Sequence, residues 1–136
     1  MASPSWEALT FRREERPEGI VLLPSGEVDL ASAPALWAHL RAILEDGLHV
    51  IVSLRGVTYI DSTGIKTLLD IHRMFVERGQ RFALSEPAPV VWKVMEIAGL
   101  ERAIPIHASL EAALESFHPS VPPPHLPAEP PGRPVS

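Results

Sequence analysis

Residues 49–84 read HVIVSLRGVTYIDSTGIKTLLDIHRMFVERGQRFAL, and this stretch decides the fold. His49 to Leu54 is a near-continuous apolar run of strand length, the pattern of a strand covered on both faces. Arg55-Gly56 turns the chain, Val57 to Ile60 leads out, and Asp61-Ser62-Thr63-Gly64 opens a helix. Ile65, Leu68, Leu69, His72 and Val76 then share one helical face, and Gly79 ends it. Arg81 to Leu84 is another core strand. Strand, helix and strand in that order imply a right-handed crossover between parallel neighbours.

The flanks extend the pattern. Trp6 to Arg13 and the apolar run Gly19 to Leu23 form an antiparallel pair joined by a turn at Pro17 and Gly19, with the first strand at the sheet edge. Ser32 is a candidate N-cap with Pro34 in the first turn, followed by Leu36, Leu40, Ile43 and Leu44 on one face and Gly47 as the stop. Beyond residue 84, Pro87 and Pro89 flank the start of a third helix with its stripe at Val91, Val94, Met95 and Ala98, closed by Gly99. Ile104 to Ile106 is a short last strand, and Leu110, Ala113, Leu114 and Phe117 mark a fourth helix. The order β-β-α-β-α-β-α-β-α predicts an α/β fold: a mixed, mostly parallel sheet of four to five strands with about four helices.

The chain has 136 residues, 12 basic and 17 acidic side chains, a formal net charge of −5, 15 prolines and no cysteine. That length predicts one domain, and an apolar fraction of 46% supports a sizeable core. Absence of cysteine excludes disulfides, thiol catalysis and Cys-ligated metal centres, and suits a reducing compartment. Two lysines and a mildly acidic balance argue against nucleic-acid binding. No window approaches the ~18 consecutive apolar residues of a membrane span. The first residues, MASPSWEALTFRREE, have no apolar signal core, so a cytoplasmic location is expected. Eight prolines crowd into PSVPPPHLPAEPPGRPVS, predicting a domain over residues 1–118 and a Pro-rich disordered tail over 119–136. That tail carries one Glu and one Arg, so the whole −5 belongs to the domain.

Chemistry concentrates in Asp61-Ser62-Thr63-Gly64. Either Asp61 or Ser62 can cap the free N–H groups of the first helical turn. The partial positive charge of a helix start tolerates an anion such as phosphate. Gly64 presents no side chain, which would let a partner's backbone approach closely. Taken alone, these four residues read as a capped helix and nothing more.

They do not stand alone. From about Ile20 to Phe117 the chain resembles the STAS domain, the family of bacterial anti-sigma factor antagonists and of the cytoplasmic ends of sulfate transporters. Three blocks carry the resemblance in family order: PSGEVDLASAPAL, VIVSLRGVTYIDSTGIKTLL and RGQRFALSEPAPVVWKVMEIAGLERAIPIHASLEAAL. The D-S-T/S-G segment after an apolar strand is its most specific element. The resemblance implies that Ser62 is phosphorylated by a serine kinase that is itself the anti-sigma factor. It further implies that the unphosphorylated domain binds this kinase and frees sigma factor, and that a serine phosphatase restores binding. No cofactor is implied.

The resemblance also implies a partner-binding set of Asp29, Tyr59, Ile60, Asp61, Ser62, Thr63, Gly64 and Lys66. Asp29 matches a family acid near the motif loop and either helps the kinase reaction or partner contact or is a solvated or helix-proximal carboxylate. Thr63 is a capping or contact residue. Tyr59 and Ile60 lie at the interaction edge or in the core. Two departures stand out: Ser53-Leu54-Arg55 where many relatives carry D-L-S, and Lys66 where glycine is frequent. Lys66 is either solvated or meets an acidic partner or a phosphate on Ser62.

Catalysis is not indicated. There is no G-x-S-x-G elbow, no metal-spaced histidine pair and no P-loop. A Ser62–His72–Asp29 triad fails because ten helical residues separate Ser62 from His72 by ~15 Å. Two further readings remain: an unphosphorylated STAS interaction or scaffold module in a stress-signalling or transporter-linked assembly, and a small-ligand sensor using a groove beside the motif.

Overall fold

A ten-residue strand organises the molecule, because Gly19–Val28 (β2) pairs along its length with three others. The computed structural model describes residues 9–118; the expected strand start at Trp6 and the Pro-rich tail 119–136 lie outside them. Thr10–Arg16 (β1) runs antiparallel to β2, joined through the two-residue turn Pro17-Glu18. On the other edge of β2, Val50–Ser53 (β3) pairs parallel with Ile20–Leu22, and Gly56–Ile60 (β4) pairs parallel with Ser25–Val28. Phe82–Ser85 (β5) and Ile106–His107 (β6) continue the sheet in parallel, giving the order β1-β2-β3-β5-β6 with β4 beside β2.

The sheet therefore has six strands, one more than the expected range, and the addition is β4. β3 and β4 are one strand line bent at Leu54-Arg55. Ile20 faces Val50 while Val28 faces Ile60, so this line holds two residues more than the stretch of β2 beside it. Pro24, which has no N–H to give, falls opposite the interruption, where the ladder needs none. This also carries β2 past its expected end at Leu23.

Helices Ala33–Glu45 (α1) and Ser62–Glu77 (α2) pack against each other, and α1 lies on β2 while α2 reaches β4 and β5. Val50, Val52, Phe82 and Leu84 join Leu36, Leu40, Leu68, Ile71 and Phe75 in the main core. Alternation sends Ile51 and Ala83 to the opposite face, where Leu110–Ser116 (α4) covers them with Ala113 and Phe117. The predicted stripe of α1 is buried throughout, whereas that of α2 is rotated: Leu69 and Val76 are half-buried, and Ile71 and Phe75 are buried instead. α2 touches both α1 and the strands β4 and β5, so its buried arc is wider than a single stripe. In Pro89–Ile97 (α3) only Val91 and Met95 are buried, and Ala98 is exposed. Leu100–Arg102 forms a 3-10 turn that drops Ile104 into the core before β6 begins, two residues later than expected.

No helix among the described residues is long and apolar enough to cross a membrane. No group of three or more His, Asp or Glu side chains among them could hold a metal ion.

Candidate functional site at the start of α2

The site forms where β2 and β4 end side by side. Val28 pairs with Ile60, and the Asp61 N–H continues the ladder by donating to the Val28 carbonyl at 3.1 Å. The loops leaving the two strands, Asp29 to Ser32 and Asp61-Ser62, thus start from neighbouring positions.

Asp61 is the N-cap of α2: its backbone is extended and its Oδ1 accepts from the Gly64 N–H at 2.9 Å. Ser62 becomes the first helical residue, exposed and outside the cap. Thr63 is half-buried and its carbonyl accepts from the Thr67 hydroxyl at 2.9 Å.

At Gly64 the close approach is internal to the chain. A Cβ there would lie 2.7 Å from side-chain carbons of Val28 and Ile60 and 2.9 Å from the Val28 carbonyl oxygen. The residue is buried, so glycine lets the first turn of α2 sit directly on the strand ends, which corrects the expectation of space for a partner's backbone. Ile60 is likewise 2% exposed and belongs to the core, whereas its neighbour Tyr59 is 49% exposed.

Asp29 holds its own turn. Its Oδ1 accepts from the backbone N–H groups of Ala31 at 3.1 Å and Ser32 at 3.0 Å. Ser32 stands at the N-cap of α1 but makes no capping bond; its hydroxyl donates to the Glu27 carbonyl at 2.7 Å and accepts from the Asp29 N–H. This closed ring fixes the loop that presents Leu30, 74% exposed, two residues after Val28. Leu30 is part of the surface that sequence reasoning missed; an isolated leucine in a loop gives no periodic signal.

Lys66 is exposed and engaged. Its Nζ lies 2.8 Å from Asp70 Oδ2, and Arg73 Nη1 lies 3.5 Å from Asp70 Oδ1. Asp70 and Arg73 were legible as i,i+4 and i,i+3 charge partners of this helix face. At the other departure, Ser53 is buried and donates to Glu86 Oε2 at 3.1 Å, joined by Ser85 at 3.0 Å. The carboxylate at this corner comes from β5's end rather than from residue 53. His72 lies in the core with its ring edge towards Phe82, centroids 5.6 Å apart.

The site is thus an exposed hydroxyl on a separately capped helix start, set on the carboxyl ends of two parallel strands. The STAS domain family model matches residues 10–113, and the chain belongs to that family. It is 30% identical over 91 residues to the anti-sigma-B factor antagonist of Bacillus subtilis, covering 67% of this chain and 84% of the relative. The crystal structure of an anti-sigma factor antagonist from Mycobacterium paratuberculosis superposes with a TM-score of 0.76 at 24% identity, covering 86% of this chain and 98% of that one. The phosphorylated form of the Bacillus cell fate determinant SpoIIAA gives 0.61 at 23% identity, covering 80% and 100%. These two structural likenesses are of fold. The curated relative is a regulatory antagonist.

Proposed function

We propose that this chain is an anti-sigma factor antagonist switched at Ser62. Unphosphorylated, it binds an anti-sigma factor that is a serine kinase and so releases sigma factor in the cytoplasm; phosphorylated, it lets the kinase go, and a serine phosphatase resets it. The observation that carries this reading is the division of labour at the helix start, with Asp61 capping and the Ser62 hydroxyl left exposed. In the transfer, the Ser62 oxygen bonds to the γ-phosphorus of ATP, the β–γ bridging P–O bond breaks, ADP leaves and the hydroxyl proton departs. The fold of phosphorylated SpoIIAA and the named antagonist relative support the same reading.

Physical chemistry favours an interface switch over a refolding switch. A phosphoserine adds about −1.5 to −2 charges, and the start of α2 receives an anion without rearrangement. Burying that charge against a partner without basic groups is costly.

The test is incubation with the cognate kinase and ATP, followed by mass-spectrometric mapping. Phosphate is expected on Ser62, with Ser62→Ala binding the kinase constitutively and Ser62→Asp losing binding. Wild-type binding by Ser62→Asp, with no phosphate at Ser62, would overturn the reading in favour of an unswitched interaction module.

A further inference from the structure

We propose that Lys66 is a built-in counter-ion for a phosphate on Ser62, handed over to it from Asp70. The proposal rests on Ser62 as the modified residue and names how that modification is held.

Ser62, Lys66 and Asp70 succeed one another at four-residue steps along α2, so they share one strip of helix surface. In the unmodified chain Lys66 pairs towards the C-terminus, with Asp70 at 2.8 Å. Three features bias it towards Ser62 once a phosphate is there. An i,i+4 pair with the acid on the N-terminal side is the better orientation, and Lys66–Asp70 is the reverse one. The phosphate carries about −1.5 to −2 charges against −1 for Asp70. It also sits at the positive end of the helix dipole, whereas Asp70 lies beyond the first turn.

The handover leaves little unpaired. Asp70 presents its other oxygen to Arg73, so it keeps a cation when Lys66 swings away. The Lys66 side chain is 75% exposed, and its movement breaks no core packing. No other basic residue occurs in the first two turns of α2. Nearby carboxylates are engaged: Asp61 Oδ1 holds the Gly64 N–H, and Asp29 Oδ1 holds the loop before α1. The Lys66 latch shields part of the phosphate's charge and steadies the modified state.

The experiment uses the full chain with phosphoserine installed at residue 62 during translation, so no kinase is needed. The second pKa of the phosphate is followed by phosphorus NMR titration in the wild type, Lys66→Gln, Asp70→Asn and the double variant. Wild type is expected to lie about 0.3 units below Lys66→Gln, the size of one exposed i,i+4 pair. Asp70→Asn is expected to lower it further, by an amount that shrinks when Lys66 is already Gln. Equal values for wild type and Lys66→Gln would overturn the latch, as would an Asp70→Asn effect that is the same in both backgrounds. Failure of the kinase to label Ser62 would remove the switch reading and leave this measurement standing.

Discussion

At positions 61, 62 and 64 three adjacent roles are kept apart: the cap, the exposed hydroxyl and the internal contact. Asp61→Ala removes the acceptor for the Gly64 N–H and is expected to cost about 1 kcal/mol. Ser62→Ala, outside the cap, is expected to stay within about 0.5 kcal/mol of wild type. Urea denaturation distinguishes them. Gly64→Ala pushes a methyl against the Val28 backbone and is expected to destabilise by about 1–3 kcal/mol. Glu86 offers a finer case, because it combines a left-handed backbone, φ 57°, with a carboxylate holding two buried hydroxyls. Glu86→Ala keeps the strained backbone and orphans Ser53 and Ser85. Glu86→Gly orphans them without the strain, so it is expected to be the more stable of the two variants by about 1 kcal/mol.

Among the elements, β4 shows where the sequence stops being readable. Its burial runs Val57 buried, Thr58 and Tyr59 exposed, Ile60 buried, which fits no two-residue alternation. The cause is a bulge: Gly26 faces Val57 and Glu27 faces Tyr59, so Thr58 is the extra residue, its hydroxyl donating to the Gly26 carbonyl at 3.3 Å. By contrast β3, β5 and α1 were legible because unbroken apolar runs and a single stripe survive into the structure. The D-S-T-G segment announced a helix start but left two candidate caps, and only the geometry separates Asp61 from Ser62. Ile60 and Gly64 are half of the same lesson, since residues next to an exposed hydroxyl belong to the core. α4 is the smallest cover on the sheet and hangs on Phe117 against Ile51 and Ala83. Phe117→Ala is expected to cost about 3 kcal/mol and to speed amide exchange in α4 ahead of α2.

For the molecule as a whole, acid is the natural stressor. His49 Nδ1 accepts from the Arg81 N–H at 2.9 Å, which requires the neutral ring. Burial first, and then the Arg81 charge, hold its pKa below the ordinary 6.5, and burial does the same at His107. The unfolded chain therefore binds more protons in that interval. Stability is full above pH 6.5 and falls as pH drops through the lowered values. Urea midpoints at a series of pH values are expected to decline below that point, and His49→Gln is expected to flatten part of the decline.

His49 also marks a pole. With Pro17, Glu18, Arg81, Phe117 and His118 it lines one open hollow, among the starts of the parallel strands. Ser62 stands where such strands finish. A dye, affinity handle or sensor-chip tether attached after His118 therefore grips the domain by its base, and the serine that a kinase would meet is left pointing into free solution.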